Sequence, residues 1–143
     1  MNYNCVALKL KEVNALSDKF YTRKFKELEL PILMNHIQLF YILSSSLKPL
    51  AFTEIFNMWD ISKSSLSEII NKYQKMGFLE KISSADDKRS FTIVLTEEGK
   101  EIRAILGKIE DEWLSVFYSN FDDETRADFE KNVERLLKNL SDI

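Results

Sequence analysis

Between Ser62 and Gly99 the hydrophobic period of the chain changes twice, and few folds accommodate that order. Leu66, Ile69, Ile70, Tyr73 and Met76 recur every three or four residues, which predicts a helix with one apolar face, stopped by Gly77. Residues 78–83 and 91–95 then have the length and the aromatic and β-branched content of two strands, joined by a polar tip over residues 84–90. From Thr96, placed as a cap, the period is helical again through Ile102, Ile105, Leu106, Ile109, Trp113, Val116 and Phe117. A capped helix, a glycine stop, two strands and a second long helix describe a winged helix-turn-helix.

The remaining segments are predicted to be helical. Val6, Val13, Leu16, Phe20 and Phe25 mark a first helix over residues 6–28. Pro31 suits the first turn of a second, buried helix running to about residue 45, because its missing N–H is one that a helix does not use there. A short third helix starts at Phe52 or Thr53 and stops near Asp60. Ser62 is placed to cap the fourth, since its side-chain oxygen can accept from a first-turn N–H. Acids at 122–124 open a last helix carrying Phe129, Val133, Leu136, Leu137 and Leu140. With only 3 glycines and 2 prolines there is little turn chemistry for a β-rich fold, so the expected class is mainly α with a small β-hairpin wing.

Several functions are excluded on residue types alone. The longest apolar region, residues 28–43, is broken by Glu29, Asn35, His36 and Gln38 and is shorter than the roughly 20 residues of a membrane span. No basic stretch leading into a clean apolar run opens the chain, and its one cysteine fits a reducing compartment, so a cytoplasmic location is expected. One histidine and one cysteine do not make a usual zinc ligand set, and no phosphate-cradling glycine loop or catalytic constellation is present. Neither enzyme activity, cofactor nor metal is expected.

The net charge of −3 speaks against a nucleic-acid partner until its distribution is considered. Residues 62–89 carry six basic and four acidic groups, whereas 90–143 carry seven and thirteen, so the positive excess falls on the helix and hairpin. The polar face of the fourth helix offers Ser64, Ser65, Ser67 and Asn71, short groups suited to base edges, beside Lys63 and Lys72, suited to phosphates. Glu68 on that face is unfavourable near phosphate unless it accepts from cytosine. At the hairpin tip Lys88 and Arg89 are long enough for a phosphate or the minor groove, with Asp87 placed to orient the guanidinium. These are the expected DNA-contacting residues, together with the cap Ser62. A winged helix used only for protein contacts would not need Lys63, Lys72, Lys88 and Arg89 on one side.

Those residues carry a family resemblance. Glu54-Ile55, the run Ile61 to Ser67, Met76-Gly77-Phe78-Leu79-Glu80-Lys81, the tip Asp87-Lys88-Arg89 and Val94-Leu95-Thr96-Glu97-Glu98-Gly99 together resemble the MarR (multiple-antibiotic-resistance regulator) family of bacterial winged-helix transcription factors. The Asp-x-Arg tip before Leu-Thr-x-x-Gly is the specific part. Lys81 departs from the usual arginine, and Phe56 and Trp59-Asp60 replace smaller residues and a glycine. The resemblance implies a single domain over 1–143, in which about 1–30 and 97–143 form a homodimer and about 31–96 form the DNA-binding lobe. It implies a repressor of double-stranded operator DNA, with the fourth helix in the major groove and Arg89 in the minor groove. It also implies a small aromatic or anionic effector, for which Phe20, Tyr21, Phe25, Met34, His36, Phe40, Tyr41, Trp113 and Phe117 are the raw material, although aromatics at helical spacing mostly pack. A peroxide-sensing role for Cys5, as in some relatives, is the remaining alternative.

Overall fold

In the computed structural model, residues 4–84, 86 and 90–143 are described. The elements are α1 (Val6–Glu27), α2 (Ile37–Ser44), β1 (Leu50–Ala51), α3 (Phe52–Asn57), α4 (Lys63–Lys75), β2 (Leu79–Ser83), β3 (Phe91–Leu95), α5 (Glu97–Phe117) and α6 (Asp123–Ser141), with a 3-10 turn at Met34–His36. Two compact units divide the chain, the first ending at Ile109 and the second comprising Glu110–Ile143.

The first unit holds the winged helix. Its antiparallel sheet has the order β1-β3-β2, with Leu79 opposite Leu95, Lys81 opposite Ile93 and Ser83 opposite Phe91. One face of the hairpin therefore carries Leu79, Ile93 and Leu95, all buried, and packs with Leu66, Ile70 and Tyr73 of α4 and with Leu39, Phe40 and Leu43 of α2. Ile102, Leu106 and Ile109 of α5 complete the same core.

Three local devices place α4 and α5. Ser62 Oγ accepts from Ser65 N at 3.1 Å and caps α4. At its other end Gly77 adopts φ +82°, its N–H bonds Gln74 O and the N–H of Phe78 bonds Tyr73 O, a Schellman stop that turns the chain into β2. Thr96 Oγ1 accepts from Gly99 N at 3.1 Å, capping α5, and donates to Gly77 O at 2.6 Å. Gly99 is required by proximity: a Cβ there would lie 1.9 Å from the carbonyl oxygen of Phe78.

Four expectations change. The second helix does not start at Pro31: α2 begins at Ile37, because Leu33 is held extended (φ −85°, ψ 145°) with its N–H donated to the Tyr73 hydroxyl at 3.2 Å. Leu50–Ala51 forms a third strand, too short to show a period, paired to β3. Met76 is exposed, since it is the residue at the C-terminal cap of α4 where the apolar stripe has already turned toward solvent. Phe78 precedes β2 rather than opening it, its N–H being used by the Schellman stop.

A polar pair sits inside this core. His36 Nδ1 lies 2.6 Å from the Tyr73 hydroxyl, and His36 is 9% exposed and Tyr73 0%. The phenol accepts from Leu33 N, so its own hydrogen is free for an unprotonated Nδ1. Burial first and the Lys72 ammonium second hold His36 below its ordinary basicity, and burial pushes the Tyr73 phenol up, so both stay neutral.

In the second unit Asp122 Oδ1 accepts from Thr125 N at 2.7 Å and starts α6. Phe117, Tyr118, Phe121 and Phe129 form a cluster with ring centroids 4.9 to 6.1 Å apart. Tyr118 donates to Glu130 Oε1 at 3.0 Å, and the Arg126 guanidinium lies 4.3 Å over the Tyr118 ring.

Three stability measurements test these contacts. Gly99→Ala forces backbone apart where a Cβ meets Phe78 O, and a loss of about 1–3 kcal/mol in urea titration is expected, the range for overpacking. Tyr73→Phe strips a partner from both Leu33 N–H and His36, and a similar loss of about 1–3 kcal/mol is expected. Because the folded state disfavours His36 protonation, the unfolded chain binds the proton first and stability falls as pH drops through 6.5. Asp122 and Glu130, held low chiefly by hydrogen bonds from Thr125 and Arg126, lose their contribution only below the ordinary carboxylate range. Thermal melts between about pH 7 and pH 5 should therefore show a decline that His36→Gln flattens.

Candidate nucleic-acid interface

Helix α4 has two faces, and the sequence dictates both. Leu66, Ile70 and Tyr73 are buried, which leaves Lys63, Ser64, Ser65, Ser67, Glu68, Asn71 and Lys72 exposed on the remaining surface. The seven candidate residues that follow Ser62 are thus brought together on one helix, all turned away from the core.

Their side chains are not equally free. Ser62 Oγ, used as the cap, also donates to Ser65 Oγ at 2.9 Å and lies 3.2 Å from Ser64 Oγ. The Lys63 ammonium lies 5.5 Å from the centre of the Phe56 ring and that of Lys72 5.5 Å from the Tyr73 ring, contacts that lay the aliphatic stems along the surface and keep the charge outside. Phe56, one of the bulky departures in the turn, has this use. Asn71 Oδ1 accepts from Lys81 Nζ on β2 at 2.9 Å. In the family motif Lys81 is only a departure from the usual arginine. The alternation of β2 pointed to it, since a lysine two residues after buried Leu79 faces the same side as the core.

Asp87, Lys88 and Arg89 at the hairpin tip lie outside the described residues. On either side of the tip, Ser84 N bonds Ser90 O at 3.0 Å, continuing the β2–β3 ladder by one residue.

The effector candidates are spread over two units. In the first, Phe40 is fully buried, His36 is bonded to Tyr73, and Met34 Sδ accepts from Thr22 Oγ1 at 3.1 Å. Phe20 and Tyr21 meet edge to face at 6.0 Å. Phe25 is buried with the same core. The Arg103 guanidinium lies 3.8 Å over the Tyr41 ring while its Nε donates to Ser44 Oγ at 2.9 Å. His36 lines a cavity of about 320 Å³ beside α4, with Trp59, Ile61, Ser65 and Glu68. A cleft of about 610 Å³ lined by Lys48, Lys100 and Arg103 among others includes none of the candidates. In the second unit Trp113 and Phe117 stack at 4.4 Å. Cys5 is exposed immediately before α1.

Among the described residues, no group of three or more His, Cys, Asp or Glu stands where it could hold a metal ion, and no helix is long and apolar enough to cross a membrane. What α4 presents is short hydroxyl and amide groups flanked by two cations, the chemistry that contacts base edges and phosphates.

Comparison with known proteins agrees with that chemistry. Residues 26–99 match the winged helix DNA-binding domain family. The HTH-type transcriptional regulator BilQ of Clostridioides difficile (strain CD3) is 23% identical over 109 residues, covering 76% of this chain and 68% of that protein. Among solved structures, the S. aureus MepR–DNA complex superposes with a TM-score of 0.81 at 14% identity, covering 96% of this chain and 99% of that one. A MarR protein from Peptoclostridium difficile DA00132 does so with a TM-score of 0.77 at 22% identity, covering 99% and 93%. The chain therefore belongs to the winged helix DNA-binding domain family, and its fold is that of the MarR-like transcription regulators.

Proposed function

We propose that the protein is a homodimeric, sequence-specific transcriptional repressor of the cytoplasm, with α4 in the major groove of operator DNA and the β2–β3 tip in the adjacent minor groove. The observation that carries this reading is the exposed face of α4: a capped, rigidly seated helix presenting Ser64, Ser65, Ser67 and Asn71 between Lys63 and Lys72. Two facts support it, the family match over residues 26–99 and the likeness to a regulator solved with DNA. Lys88 and Arg89 add the cations that a tip needs to reach phosphate or the minor groove.

Dimerisation is supported by apolar surface at both ends of the chain. In α1, Val6, Leu10, Val13 and Leu16 are exposed at helical spacing, and in α6 Leu136, Leu137 and Leu140 are exposed likewise. Helix α6 has no buried residue at all, so its stability as a helix calls for a partner surface. We assign residues 1–30 and 97–143 to contact with a second copy and 31–96 to DNA. Two copies double the modest positive excess of residues 62–89 over one operator. Release of DNA by a small aromatic or anionic effector completes the proposed cycle.

Three variants test this. Binding to duplex DNA from upstream of its own gene should weaken steeply with salt. Arg89→Ala should weaken binding to many sequences alike and make the salt dependence shallower, whereas Asn71→Ala should mainly relax base preference, by about 1–3 kcal/mol at the position it reads. Absence of salt-sensitive binding by the wild-type dimer would overturn the reading. Leu136→Glu combined with Leu140→Glu should shift the protein from dimer to monomer in analytical ultracentrifugation; an unchanged dimer would remove α6 from the interface.

A further inference from the structure

The contact between Lys81 and Asn71 goes beyond the reading above, on which it rests. In β2 the alternation Leu79, Lys81, Ser83 puts Lys81 on the side of the hairpin that packs against α4, opposite buried Ile93 and next along the strand from buried Leu79. Half-buried beside Leu79 and Ile93, the lysine stem lies along apolar surface while its ammonium meets acceptors within the protein. Lys81 has two: Asn71 Oδ1 at 2.9 Å and the face of Phe91, whose ring centre lies 4.9 Å from Nζ. The lysine thereby joins the helix to the wing strand.

The consequence falls on Asn71. An ammonium has only donors, so the amide atom facing it is the oxygen, which fixes the orientation of a group that otherwise flips freely. Left to itself, asparagine pairs with adenine in the major groove, accepting from N6 and donating to N7. With Lys81 on Oδ1, an adenine amino group would bring a second donor to the same oxygen, next to a full positive charge. Guanine instead brings O6 and N7, both acceptors, which the Nδ2 hydrogens and the ammonium favour together.

We propose that Lys81, by holding Asn71 Oδ1, makes Asn71 a donor-only reader that selects guanine over adenine at the base pair it meets. Lys81 is a positioning residue in this scheme, and Asn71 is the one that touches the base.

The test is selection from a random duplex library by the full-length protein, followed by affinity measurements on the enriched site and its single-base variants. The informative position is the one that becomes indifferent in Asn71→Ala. There the wild type should prefer guanine to adenine by about tenfold, the discrimination of one good base contact. Lys81→Met should move that ratio toward adenine by about tenfold, Lys81→Arg should retain guanine, and Lys81→Met should change nothing further in the Asn71→Ala background. Circular dichroism checks that the variants fold; should Lys81→Met not fold, Lys81→Gln, which removes the charge, is expected to shift the ratio in the same direction. A wild-type preference for adenine, no position sensitive to Asn71, or a ratio unmoved by the neutral Lys81 variants overturns the inference while leaving DNA binding intact. A wild type that enriches no sequence and shows no salt-sensitive binding overturns both.

Discussion

The burial of Tyr73 is the constraint on which the first unit depends. One ring sits among Phe40, Phe78 and His36 at centroid distances of 5.4 to 6.3 Å, and its hydroxyl ends in bonds to His36 and Leu33. An apolar core accepts a phenol only if its oxygen is satisfied. The chain meets that requirement by leaving Leu33 extended and by starting α2 four residues after it. The helix that faces outward with serines and lysines is thus seated from within by a residue on its opposite face.

That arrangement divides labour by helical geometry. Residues three and four apart on α4 belong to the core, and those between them remain for a partner. The cap Ser62 stands at the boundary: its hydroxyl is committed to Ser65 and serves the start of the helix, whereas Ser67, two residues beyond, is unburdened by that role. The two cations over Phe56 and Tyr73 lie along the surface, so the positive field is held close to the helix that would read DNA.

Much of this was legible in the sequence because it rests on local chemistry. Helices α1, α4, α5 and α6, both hairpin strands, the caps Ser62 and Thr96 and the acids that open α6 are each specified within a few residues by period, side-chain oxygen, charge or glycine. What was not legible depends on contacts between distant residues. The late start of α2 follows from a bond between Leu33 and Tyr73, forty residues apart. Strand β1 exists only because β3 offers it a partner, and two residues carry no period of their own. The link from Lys81 to Asn71 needs the register of the hairpin against α4, which no motif states. Asp87, Lys88 and Arg89 are known only as a motif, since they lie outside the described residues.

The hydroxyl of Thr96 has a mechanical meaning. It holds Gly99 N on one side and Gly77 O on the other, so the end of α4 and the beginning of α5 share a single pivot. The carbonyl of Phe78, taken by Thr96 N and pressed close to Gly99, closes the same joint from the backbone. With no Cβ at Gly99 and almost no clearance, the joint has little room to slide. The glycine stop of α4 and the first turn of α5 are therefore fastened at one stiff joint, which sets where each helix begins or ends relative to the other within the same unit.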